Sequence, residues 1–239
     1  MSGWKAKRFW KAVTVVGTEG GFTVLLDARP VRTPAKAPLL LPRRAMAEAI
    51  AAEWEAVEEA VDPRVMPVTR RANAAIDKVA LQFEEVAQLV ADYGGSDLIC
   101  YRAEAPEALA EAQAQAWDPL LDWAADTFSA RLRVTRGVVP VAQPADCLDR
   151  LTAAVRATTP FQLTALYDLV GLSGSLILGL AAARGEFDAE SLWKLSRLDE
   201  DWQAEQWGED EEASATAALK REDFLLARHF WELSRPLAE

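Results

Sequence analysis

Pro38-Leu39-Leu40-Leu41-Pro42-Arg43-Arg44-Ala45-Met46-Ala47-Glu48-Ala49-Ile50 is the stretch in which the chain changes character. Upstream of it, apolar and polar residues alternate with a period of two. Downstream of Pro42, apolar residues recur every three to four positions. Proline has no N–H and a fixed φ, so a strand ends readily at Pro42 and a helix can start just beyond it. The expected fold class is therefore α+β, a small β-rich N-terminal portion followed by a larger, mainly α-helical C-terminal portion.

Working back from Pro42, Phe9, Lys11, Val13 and Val15 alternate with Trp10, Ala12, Thr14 and Val16. Thr18-Glu19-Gly20-Gly21 reads as a turn into a second alternating run at Phe22, Val24 and Leu26, so the pair predicts a hairpin. Asp27-Ala28-Arg29-Pro30 gives another turn, followed by short strands around Val31–Thr33 and Pro38–Leu41.

Working forward, the pattern predicts a helix over Arg43–Val61, broken by Asp62-Pro63. Thr69 is placed to cap a helix through Ala80, and a further helix covers Phe83–Tyr93. Gly94-Gly95 then leaves Asp97–Tyr101 as a short extended piece. Beyond Pro106 nearly everything reads helical: Glu107–Phe128, Asp146–Ala157, Pro160–Ala183, Asp188 to about Gly208, and about Glu211 to Leu233. Short extended pieces fall at Arg131–Val134 and Val138–Val141. This organisation suggests a β-rich domain with two to three helices over residues 1–100 and a helical domain over 101–239.

The formal charge is −11, unevenly spread: residues 1–44 hold nine Lys/Arg against two Asp/Glu. An acidic chain is repelled by nucleic acid, so no nucleic-acid partner is expected. Two cysteines, Cys100 and Cys147, sit among apolar neighbours and read as small buried side chains rather than a disulfide framework. The longest apolar stretch, Val170 to Ala183, has 14 residues, below the roughly 18 a membrane span requires. With no secretory signal either, a bacterial cytoplasm, or the mitochondrial matrix in a eukaryote, is the expected location, without membrane insertion and with a monomer favoured.

Catalytic chemistry is hard to find. His229 is the only histidine, which excludes the usual zinc spacings, and no metal site is expected. Gly171-Leu172-Ser173-Gly174-Ser175 has the outline of a nucleophile elbow, yet it sits inside a helical apolar run and not after a strand. Close helix packing explains its small residues better, Gly179 included. Neither a phosphate-binding lysine loop nor a dinucleotide glycine fingerprint is present. No catalytic residues, no cofactor and no enzymatic activity are expected.

Residues 199–212 stand apart, with eight acids and no base: Asp199, Glu200, Asp201, Glu205, Glu209, Asp210, Glu211 and Glu212. Trp202 and Trp207 are set among them, with Gln203 and Gln206. Helical spacing places Leu195, Leu198 and Trp202 on an inward seam, and Asp199, Gln203, Gln206 and Trp207 on a face turned to solvent. Acids four apart weaken a helix by a few tenths of a kcal/mol each. Kept without lysine partners, they form either a plain solvated face or a surface that meets a basic partner.

The run Ser196-Arg197-Leu198-Asp199-Glu200-Asp201-Trp202-Gln203-Ala204-Glu205-Gln206-Trp207-Gly208-Glu209-Asp210-Glu211 resembles the signature of the mitochondrial and alphaproteobacterial assembly chaperones for the alpha subunit of F-type ATP synthase. Other stretches agree in order: Leu26-Asp27 with Arg29-Pro30-Val31-Arg32-Thr33-Pro34, Met66-Pro67-Val68-Thr69 through Asn73 with Ala75-Ile76-Asp77, Asp97-Leu98-Ile99-Cys100-Tyr101-Arg102, and Trp117-Asp118-Pro119-Leu120. Two departures are visible: Ala28 stands where glycine is more usual, and Glu212 where an aromatic would follow Glu211. The resemblance implies a chaperone that holds the unassembled alpha subunit until it joins beta. It also implies a partner-binding surface at Glu200, Asp201, Gln203, Trp207, Gly208 and Glu211.

Three other readings differ in what they require. A carboxylate-based enzyme needs a concave pocket with two acids, at least one with a strongly raised pKa. A permanent acidic subunit of a complex would co-purify in fixed stoichiometry. An anion-binding N-terminus would use Lys5, Lys7, Arg8, Lys11 and Arg32.

Overall fold

The computed structural model describes residues 7–235. Strands β1 (Val13–Thr18) and β2 (Gly21–Leu26) form the predicted hairpin, with Val13 opposite Leu26 and Thr18 opposite Gly21. The alternation turns Val24 and Leu26 into the core. A two-residue strand β3 (Arg29–Pro30) adds to the far side of β2. In the turn between them the positive φ falls on Asp27, at 54°, so residue 28 needs no glycine. The Asp27 carboxylate accepts the N–H groups of Ala12 and Lys11 at 3.0 and 3.1 Å, which holds its pKa below the usual carboxylate range. The strands expected at 31–33 and 38–41 are reduced to single bridges, Arg32 with Pro38 and Phe22 with Leu41.

Helix α1 (Arg44–Glu55) starts where Pro42 predicts but stops six residues short of Val61. The reason lies in the N-terminal segment. Lys7 bridges Ala60, and the Arg8 N–H donates to the Glu59 carbonyl at 2.8 Å. The Arg8 guanidinium donates to the carbonyls of Glu55 and Val57, groups that a helix end leaves without partners. Arg8 therefore closes a helix. Lys5, another of the bases considered for anions, lies outside the described residues.

Helix α2 (Pro67–Ala74) runs on into a π-helical turn at Ala75–Val79. Thr69, expected as its cap, sits inside the first turn. Proline opens the helix, and Glu53 of α1 supplies the acceptors. Helix α3 (Phe83–Asp92) follows the prediction. The extended piece expected at 97–101 is instead a 3-10 turn at Leu98–Cys100, because the Asp97 carboxylate accepts the Ile99 N–H and bends the backbone. Strand β4 (Tyr101–Arg102) pairs in parallel with β5 (Thr135–Arg136).

Helices α4 (Glu107–Phe128) and α5 (Ala145–Arg156) match their patterns. The single helix expected from 160 to 183 is two, α6 (Pro160–Ser173) and α7 (Leu176–Arg184). Gly174 turns the chain at a φ of 71°, and the Ser175 hydroxyl caps α7 by accepting the Leu178 N–H at 3.0 Å. Because α7 is buried on every face from Leu176 to Ala183 and α6 ahead of it is nearly as apolar, hydropathy carried no mark of the break. Helices α8 (Ala189–Ser196), α9 (Leu198–Trp207) and α10 (Glu211–Ser234) complete the chain.

The described residues form two compact units, one from 7–83, 159–165 and 229–235, the other from 84–158 and 166–228. The first packs the sheet on α1 and α2 around Trp10, Val24, Leu41, Met46, Ile50 and Phe230. The second is helical, with Ile99, Trp117, Leu151, Leu169 and Ile177 enclosed. Among the described residues no helix is long and apolar enough to cross a membrane. Cys100 and Cys147 are both buried thiols, as expected.

Candidate functional site

The acidic run folds as an elbow of two helices. The continuous helix predicted from 188 to 208 breaks at Arg197, whose φ of −110° and ψ of 7° leave the helical region. Upstream, Asp188 caps α8 through the Ser191 N–H and hydroxyl, both at 2.9 Å. Gly208 ends α9 at a φ of 94°, a conformation that suits a residue without Cβ. Asp210 then starts α10 by accepting the Ala213 N–H at 2.8 Å. Farther along α10, Arg221 forks onto Glu190 of α8 at 2.5 and 2.7 Å, and Phe224 packs on Trp193.

Helix α9 has no buried residue. The seam predicted at Leu195, Leu198 and Trp202 does point inward, but all three are only half-buried. Polar contacts do the rest. The side-chain amide of Gln113, on α4, donates to Asp199 at 2.6 Å and accepts the Ala103 N–H at 2.6 Å. Beside it the Trp117 indole donates to the Leu195 carbonyl at 2.9 Å. Arg102 lies over the Trp117 ring at 5.0 Å and pairs with Asp118 at 2.7 Å. Burial lowers its pKa, against the pull of Asp118 and Asp199.

Asp199 therefore does not share the solvent face expected for it with Gln203, Gln206 and Trp207. It is half-buried and bonded to Gln113. That partner lies 86 residues away, and nothing in the local pattern could have named it. The other acids divide. Asp210 is a helix cap, and Glu200 pairs with Arg197 at 2.6 Å. Asp201, Glu205, Glu209, Glu211 and Glu212 are exposed.

All six residues expected at a partner surface, Glu200, Asp201, Gln203, Trp207, Gly208 and Glu211, are exposed. Helical spacing puts Glu200, Gln203 and Trp207 on one face of α9, with Asp201 about a third of a turn away. Glu211 opens α10 on the other side of Gly208. Trp207 is 81% exposed, and among the described tryptophans it alone is exposed. A shallow open groove of about 510 Å³ runs between the two arms, lined by Arg197, Glu200, Asp210, Glu212, Thr216 and Lys220 among others.

This arrangement is suited to contact and poorly suited to acid–base chemistry. The groove is open and mixes carboxylates with two cations. Burial pushes the carboxyl of Asp97 up to about 6, but that group is away from the groove, fully enclosed and hydrogen-bonded to the N–H groups of Ile99 and Ile177. Ser173 of the apparent nucleophile elbow is buried and donates to the Leu169 carbonyl at 2.7 Å. Among the described residues, no three His, Cys, Asp or Glu side chains gather as metal ligands would.

Comparison with known proteins adds to this geometry. The profile of the family described as ATP12 chaperone protein matches residues 7–125. The crystal structure of Atp12 from Paracoccus denitrificans is 56% identical, with 96% of this chain and 99% of that one covered, and superposes with a TM-score of 0.94. A single-substitution mutant of the same protein superposes equally, at 0.94. The mitochondrial protein atp12 of Schizosaccharomyces pombe is 25% identical over 223 residues, which cover 87% of this chain and 75% of the relative. With the Paracoccus protein 56% identical and matched over almost its full length, the chain belongs to the ATP12 chaperone protein family.

Proposed function

We propose that this chaperone holds the unassembled alpha subunit of F-type ATP synthase, without nucleotide hydrolysis, until the beta subunit replaces it. The observation that carries the reading is Trp207, an almost fully exposed indole at the tip of a helix with no buried residue. Burying an indole is worth on the order of 4 kcal/mol, so leaving one in water favours a partner that covers it. Around it, Gln203 offers both a donor and an acceptor. Glu200, Asp201 and Glu211 meet arginine or lysine of the client, and Gly208 sets the angle of the elbow. The Glu200–Arg197 pair is partly solvated and worth only about 0.2–1 kcal/mol, so a client cation can take the carboxylate.

A client's apolar surface, open before assembly, is an aggregation hazard. A holdase must cover it firmly enough to protect and loosely enough to yield. The test is refolding of isolated alpha subunit followed by light scattering, with this chain present and with beta added later. Suppression of scattering specific to alpha, relieved by beta without ATP, is the expected result. No suppression at several-fold excess would overturn the proposal.

A further inference from the structure

An acidic helix of ten residues has little reason to stay folded by itself. Isolated helices shorter than about 12–15 residues are marginal even in favourable sequences, and α9 carries like charges at helical spacing. Its apolar seam is only half-buried. Something other than a hydrophobic face has to hold it at a fixed angle.

We infer that Gln113 and Asp199 are that device: a buried amide on α4 that positions the elbow, and with it Trp207, for the client. The inference rests on the proposed role of the elbow. Gln113 is 1% exposed, and both ends of its amide are engaged, with Ala103 on one side and Asp199 on the other, each at 2.6 Å. The donor end is satisfied by an acceptor on α9. Asp199 in turn lies in the field of Arg102, a buried cation with one guanidinium nitrogen, Nη1, lacking a hydrogen-bond partner. The carboxylate is therefore attracted to the body from two sides, and α9 begins from that anchor. Gln113 touches no client in this scheme. It is a positioning residue acting through Asp199.

Exchanging the two functional groups separates positioning from mere filling of space. Gln113→Glu keeps the size and the acceptor for Ala103 but sets a carboxylate against Asp199. Asp199→Asn restores a donor facing it. Amide hydrogen exchange over 198–207 is expected to quicken by roughly tenfold or more in Q113E, with α4 and α5 unchanged, and to return toward wild type in Q113E/D199N. Unchanged exchange in a folded Q113E protein, or no recovery in the double variant, overturns the clamp. Protection of refolding alpha subunit should fall and recover in parallel. If exchange responds as stated while protection of alpha never moves, the clamp stands and the elbow is not the client surface.

Discussion

Glu53 on α1 fixes the start of α2 through Thr69: its Oε2 accepts the Thr69 N–H at 2.8 Å and the Thr69 hydroxyl at 2.6 Å, while Oε1 takes the Val68 N–H at 2.6 Å. A carboxylate from one helix thus does the work of a cap for the next, and does it near the positive end of that helix's dipole. Replacing it leaves half-buried donors without acceptors. Glu53→Ala is expected to lower stability by about 2 kcal/mol, and Glu53→Gln by less because one acceptor survives. Urea denaturation of both variants checks the order; equal effects would mean that charge, not acceptor count, holds the joint.

Gly179 of α7 faces Val170 of α6 without room for a side chain. A Cβ there would lie 2.4 Å from the valine Cγ2 and 3.2 Å from its backbone nitrogen. Gly179→Ala is expected to cost about 1–3 kcal/mol, the usual penalty of overpacking. Adding Val170→Ala removes the methyl contact but not the backbone one, so the double variant should recover only part of the loss. Full recovery in thermal melts would show that the side chain alone sets the spacing.

Asp97 makes stability depend on pH. Burial raises its pKa from 3.8 to about 6 in the folded protein, so the folded state holds the proton more tightly than the unfolded chain. The group's contribution is therefore fully present below about pH 4 and is lost as pH rises through 6. In size it is on the order of 3 kcal/mol, at about 1.4 kcal/mol per unit. Asn cannot titrate, and it has one acceptor oxygen for the two N–H groups of Ile99 and Ile177. Asp97→Asn should thus be less stable throughout, and the gap between wild type and variant should narrow from pH 5 to pH 7. Paired denaturation curves at both values test this; a gap that widens would reverse the sign.

How much of this was legible before the fold was known depends on the range of the forces involved. Helix α4 could be placed to the residue, because its pattern and its flanking Pro106 are local. The start of α10 was open to within about a residue, while the cap that fixes it, Asp210 on the Ala213 N–H, appears only in the fold. The end of α1 was not: Arg8, 47 residues upstream, draws its last carbonyls away. The break at Gly174 was hidden because the apolar run continues across it into a segment buried on every face. At the elbow, Gln203, Gln206 and Trp207 were readable as exposed from helical spacing, while the inward turn of Asp199 needed Gln113. Local chemistry shows in the chain, and distant partners do not.

Trp207 separates stability from function. At 81% exposure its ring contributes little to the core, so Trp207→Ala should change unfolding free energy by no more than about 0.5 kcal/mol. The same variant loses the apolar anchor proposed for the client, and an interface aromatic of that kind is commonly worth 2 kcal/mol or more. Protection of refolding alpha subunit should therefore need at least roughly tenfold more chaperone. Glu211→Ala should act in the same direction more weakly, since it removes one rim charge, and its effect should shrink with added salt. The informative comparison is the thermal midpoint against the protection curve for each variant. A midpoint that holds while protection falls assigns Trp207 to the interface, and a midpoint that collapses would make it part of the fold.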